Sequence, residues 1–237
     1  MEKIYVKTNY SDNQFFNRRL YNLRKQEDST IFSTLCISVS EYMYKNNKDF
    51  QKYLNYSDNS YCLRYFIDLE KNFGLSGLAG TLIILNELSC DREIISYGIE
   101  KLLDNVIDTP NGKMIKINKD TASPYLSTGS AGMIKALLNI DAQKYKKIIC
   151  ELSRGIMTYF SQYPDYWNGM LGISDTLLDV YLLTNDRTYI EFATSLLITS
   201  SYYLEFDRLP REEFMYVFNR FDNLLFKKGA GQYEFDV

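Results

Sequence analysis

Trp167-Asn168-Gly169-Met170-Leu171-Gly172-Ile173-Ser174-Asp175-Thr176-Leu177-Leu178-Asp179-Val180-Tyr181-Leu182-Leu183-Thr184-Asn185-Asp186 reads as a glycine turn, an apolar run of helical type and a polar turn. Its opening recurs. Gly74-Leu75-Ser76-Gly77-Leu78-Ala79-Gly80 precedes Thr81-Leu82-Ile83-Ile84-Leu85, and Gly129-Ser130-Ala131-Gly132 precedes Met133 to Leu138. The equivalent glycines Gly80, Gly132 and Gly172 stand 52 and 40 residues apart. Periods of this size belong to stacked helical hairpins, in which no single unit buries its apolar face alone. A fourth, degenerate copy is expected at Gly229-Ala230-Gly231, and the glycine-opened inner helices are expected to face one shared cavity.

Outward from these phrases, apolar spacing predicts further helices over residues 29–54, 61–73, 91–106, 144–160, 187–206 and 212–226. One stretch is different. Pro110-Asn111-Gly112 is a turn signal, and Lys113 to Asn118 alternates apolar and polar residues as a short strand or hairpin arm would. Residues 1–28 read as a loosely packed lead-in. The expected architecture is all-α, one domain over residues 1–237, built of antiparallel helical hairpins.

Composition narrows the chemistry. The chain has 237 residues, 21 Tyr, 14 Phe, one Trp and no His. Without His there is no Ser-His-Asp or Cys-His pair, no His-ligated metal and no imidazole switch near neutral pH. A formal charge of −3 gives no global attraction to phosphate backbones, so nucleic acid is not an expected partner. No apolar stretch approaches the roughly 20 residues that span a bilayer. The charged opening Met1-Glu2-Lys3 is not that of a signal peptide. Cys36, Cys62, Cys90 and Cys150 form no CxxC pair and are expected as reduced thiols of a cytoplasmic protein.

Glycine inside a helix costs roughly 0.5–1 kcal/mol relative to alanine, so its recurrence needs a reason. Three reasons stand open: close approach of backbones or of a ligand, a loop entry with positive φ, and exposure of helix N-terminal amides to a carboxylate or enolate. No nucleotide loop is implied, because no phrase follows a strand and no GK[ST] element is present.

GLSGLAG, PYLSTGSAGM and WNGMLGISDTLLDVYLLTNDRTYIEFA resemble the repeats of the lanthionine synthetase C-like (LanC-like) family, over about residues 60–206. The lead-in Pro124-Tyr125-Leu126 is similar to that of the cyclase domain in the class III kinase–cyclase synthetases. The resemblance implies an (α/α) toroid around a peptide-accepting cavity, in which cysteine thiols of a precursor peptide add to dehydroamino acids to make thioether rings. The zinc-dependent branches carry their Cys and His ligands just before the glycine phrases. Here Asn168 and Ser127-Thr128 stand in those places, and Ser76 stands where a further His is usual. No metal and no cofactor is expected.

Two functions follow from the resemblance. One is a zinc-free cyclase. Proximity of thiol and alkene can contribute on the order of 7–11 kcal/mol, and Asp165, Asp175, Tyr125 or Tyr166 would accept or relay the thiol proton. The other is a non-catalytic pseudo-cyclase that binds a precursor peptide or a kinase or lyase partner. Ser76, Gly77, Ser127, Thr128, Gly129, Trp167, Asn168 and Gly169 are expected to line the peptide-binding cavity. The chain reads as short for a full ring of hairpins, and an incomplete toroid would cover its apolar faces with a partner or by self-association. A third class, a helical solenoid unconnected with peptide modification, lacks a reason for Gly-x-x-Gly at each inner helix start.

Overall fold

A computed structural model describes residues 60–224, apart from 88–89, 119–120, 159–160, 162, 205 and 207. With helices numbered in chain order, three are apolar on nearly every side and therefore lie inside: α2 (Leu78–Glu87), α4 (Ser130–Asp141) and α6 (Met170–Thr184). Each opens on one of the glycine phrases, and the first eight residues of α2 and of α4 are all buried, as are the first eleven of α6. The helices that alternate with them are two-faced. In α5 (Lys146–Ile156) the buried positions Ile149, Leu152, Ser153 and Ile156 recur at three- and four-residue steps. α3 (Arg92–Leu103) and α7 (Arg187–Ser201) bury one stripe each in the same way. α1 (Ser60–Leu69) and α8 (Arg211–Asp222) complete the helices of the described residues.

The packing follows the repeat. α2 lies against α4, and α4 against α6, so the three buried helices stand in a row. α3, α5 and α7 pack on the helices they follow, and α8 packs on α6 and α7. The last hairpin is formed as its sequence requires. Asn185 ends α6 in the left-handed conformation (φ 56°, ψ 23°) with its amide on the Tyr181 carbonyl at 2.7 Å. Asp186 then caps α7 by accepting from the Thr188 amide at 3.0 Å.

The expectation of an all-α chain is corrected by a small antiparallel sheet. β1 (Val106–Thr109), β2 (Gly112–Asn118) and β3 (Thr121–Ser123) pair in the order β1-β2-β3, with Thr109 opposite Gly112 and Ile115 opposite Ser123. The turn at Pro110-Asn111 and the alternation after it prevail over helix formation, and Val106 leaves the helical pattern to pair with Ile115. The sheet rests on α5 through two glycines. A Cβ on Gly155 would sit 2.0 Å from the Lys113 carbonyl oxygen, and one on Gly112 would sit 2.6 Å from that of Glu151.

Other boundaries move slightly. α1 stops at Leu69 and α5 at Ile156, while a 3-10 turn (Tyr202–Leu204) follows α7. The expected helices over 29–54, the lead-in 1–28, Cys36 and the degenerate phrase at 229–231 lie outside the described residues. Among the described residues, no helix is long and apolar enough to cross a membrane.

Candidate functional site

The three glycine phrases fold into equivalent loops, one at the entrance of each buried helix. They are joined edge to edge by backbone hydrogen bonds. The Leu75 amide donates to the Leu126 carbonyl and the Ser76 amide to the Ser127 carbonyl, each at 2.9 Å; the Ser127 amide donates to the Trp167 carbonyl at 3.0 Å. Close approach is what demands glycine. A Cβ would lie 2.0 Å from the Asn72 oxygen at Gly77, 2.1 Å from the Ser123 oxygen at Gly129 and 2.4 Å from the Tyr163 oxygen at Gly169. Among the described residues no glycine has positive φ, so the second of the three open reasons does not apply.

The third reason is also answered by geometry. Amides at the helix entrances are taken up by carbonyls of the lead-in: Leu78 by Asn72 at 2.7 Å, Ala131 by Pro124 at 3.1 Å, Met170 by Tyr163 at 3.0 Å and Leu171 by Pro164 at 3.3 Å. These four donors already have backbone acceptors and so are not open to a carboxylate or enolate.

The loops bring most of the expected lining residues into one row. Ser76, Thr128 and Asn168 hold the same place in their loops, directly before Gly77, Gly129 and Gly169, and all three are half-buried. Ser127 is buried between them and its hydroxyl donates to the Asn168 side-chain oxygen. Thr128 and Ser123 share a hydroxyl hydrogen bond of 2.9 Å. Asp165 accepts the Asn168 amide at 2.7 Å. The Tyr125 hydroxyl accepts from Ser161 at 3.3 Å. Trp167 is buried, its ring edge-on to Tyr166 with centroids 5.6 Å apart.

Beside the third loop a groove of about 780 Å³ opens. Tyr163, Pro164 and Asp165 form one wall; Pro210, Arg211, Phe214 and Met215 at the start of α8 form another. One aspartate, Asp165, and two arginines, Arg208 and Arg211, thus line the same open space, which suits a polar chain such as a peptide.

Tyr166 and Asp175 go elsewhere. They meet in a buried ionic cluster that sequence reasoning did not foresee. Lys135 of α4 reaches Asp175 at 2.9 Å and also Asp179, while the two terminal nitrogens of Arg220 in α8 contact Asp175 and Asp179. All four side chains are at most 7% exposed. The Tyr166 hydroxyl donates to Asp175 at 2.8 Å, and Glu213 of α8 accepts the Tyr166 backbone amide at 3.0 Å. Burial pushes the Asp175 carboxyl upward, but the neighbouring Arg220 and Lys135 outweigh it and hold the group below the usual carboxylate range. Burial, with Asp175 alongside, pushes the Tyr166 phenol well above its ordinary value. The cluster was readable in part. Asp175 and Asp179 stand four apart and are the only charges between Ile173 and Leu183, hence on one helix face, and Lys135 is the sole charge between Met133 and Leu138.

Among the described residues, no three Cys, Asp or Glu side chains are gathered as a metal would require. Cys90 and Cys150 are free and half-buried, and burial pushes the Cys90 thiol up, away from thiolate. No protein-family model, curated protein or solved structure matches the chain.

Proposed function

We propose that the chain is a LanC-like helical domain of lanthipeptide modification that holds a precursor peptide. The buried row α2–α4–α6 would be an arc of an (α/α) toroid, with α3, α5 and α7 outside it. The observation that carries the reading is the row of three hydrogen-bonded glycine loops, each presenting a polar residue at one equivalent place: Ser76, Thr128, Asn168. The peptide would run along that row and enter the groove between Asp165 and Arg211. Binding without turnover is favoured because Asp175 and Tyr166, two of the four acid–base candidates, are buried in the ionic cluster.

A zinc-free cyclase is the second reading, favoured by Asp165, which remains half-buried on the groove wall. In that reaction a C–S bond forms at the alkene β-carbon, the C=C π bond breaks, and the thiol proton ends on the α-carbon. Asp165 would take up and return the proton, with Tyr125 as the other accessible candidate. A kinase or lyase enzyme remains the partner that either reading calls for.

Calorimetric titration with a dehydrated, cysteine-containing lanthipeptide precursor tests the binding. Asp165→Ala and Asn168→Ala, in protein with wild-type circular dichroism, are expected to weaken it about tenfold, roughly 1.4 kcal/mol. Unchanged affinity in both variants would rule out the groove and the row as the peptide site.

A further inference from the structure

We infer that Glu213 and Arg220 of α8 are positioning residues for the third glycine loop, fixing the two walls of the groove relative to one another. Tyr166 lies in that loop directly after Asp165, and α8 grips it in three ways. Glu213 accepts its backbone amide at 3.0 Å, Tyr216 meets its ring edge-on at 5.7 Å, and its hydroxyl rests on Asp175, the carboxylate that Arg220 also holds. The same helix begins at the opposite groove wall, with Pro210, Arg211 and Phe214. One rigid element therefore supplies a wall of the groove and the tether of the other wall.

The choice of ionic groups supports positioning over mere stability. Burying four charges is costly, and apolar side chains of similar volume often stabilise a core as well or better. What the cluster adds is direction. The planar guanidinium of Arg220 meets two carboxylates one helical turn apart, which fixes both the rotation and the height of α8 against α6. The first and second loops are joined by two backbone hydrogen bonds. The third is joined to the second by one, from the Ser127 amide to the Trp167 carbonyl, so the grip of α8 on Tyr166 is additional to that single link.

The inference rests on the groove reading for its functional meaning, but its test needs no peptide. Amide hydrogen exchange followed by mass spectrometry compares segment 163–170 with segments 75–85 and 126–138. Glu213→Ala is expected to speed exchange of the third loop about tenfold and leave the other two segments as in wild type. Glu213→Gln, which keeps an acceptor oxygen for the Tyr166 amide, is expected to restore protection. Arg220→Lys, which keeps the charge but loses the fork, is expected to show the same local pattern as Glu213→Ala. Trp167 emission, from the one tryptophan of the chain, should move to the red in step with third-loop exchange. Wild-type exchange at 163–170 in Glu213→Ala and Arg220→Lys would overturn the inference. Equal acceleration of all three segments, or a general loss of fold in both, would overturn it as well, reducing the cluster to ordinary core. Absence of peptide binding would defeat the proposed function and leave this result standing.

Discussion

A methyl group on Gly172 would lie 1.9 Å from the Tyr166 carbonyl oxygen, and one on Gly132 would lie 2.2 Å from that of Leu126. Backbone cannot swing aside as a side chain can. Gly132→Ala and Gly172→Ala are therefore expected to lose about 1–3 kcal/mol through overpacking, read as a lower urea midpoint at unchanged slope. Gly98 in α3 is the contrast, because its added Cβ would meet the tip of the Leu82 side chain, Cδ2, at 2.4 Å. That tip can rotate, and alanine favours the helix, so Gly98→Ala is expected to stay within about 1 kcal/mol of wild type. Equal losses at all three positions would show that helix interior, and not loop contact, governs the glycines. The sequence signalled that these glycines mattered through their recurrence. It did not say why, since close approach to a carbonyl depends on how each lead-in folds back over its helix entrance.

Between elements, the ionic cluster is the feature with the largest stakes. Arg220→Met strands Asp175 and Asp179 with only Lys135 between them, and an unbalanced buried charge costs about 3–5 kcal/mol. Arg220→Met combined with Asp179→Asn removes one charge of each sign and is expected to lose clearly less. A double variant no more stable than the single one would contradict the charge-balance argument.

Acid should act through the same groups. Asp175 is held below its unfolded-chain pKa of about 3.9, so its contribution is complete above that pH and is lost as pH falls toward the lowered folded value. Urea midpoints are expected to drop with a steeper acid limb below about pH 4 in wild type than in a Lys135→Met, Asp175→Asn variant. Identical limbs would remove Asp175 from the acid response. Each member of the cluster stood in the sequence as one charge in or near an apolar run, yet only three-dimensional contact showed that four such oddities cancel one another.

For the whole molecule, the alternation of inner and outer helices was legible because a glycine phrase opens each inner helix, and the spacing between phrases leaves room for one further helix. The sheet was half legible. Alternation at Lys113 to Asn118 marked β2, while of β1 only Val106 fell inside an expected element, the helix over 91–106, and Ile107 to Thr109 are too short a run to show a period. Of the candidate site, Ser76, Thr128 and Asn168 were singled out through the family resemblance, as the residues standing before Gly77, Gly129 and Gly169, whereas the groove needed α8, whose approach to the third loop no local pattern announces.

The most direct test of the proposal that this fold holds a lanthipeptide precursor is native mass spectrometry of the protein mixed with a dehydrated, cysteine-containing precursor, followed by alkylation of the released peptide. The expected result is a protein–peptide complex whose peptide keeps its alkylatable thiols at the uncatalysed level. Thiols lost faster than that would replace binding alone with the zinc-free cyclase, and no complex with no thiol loss would contradict a role in handling such peptides.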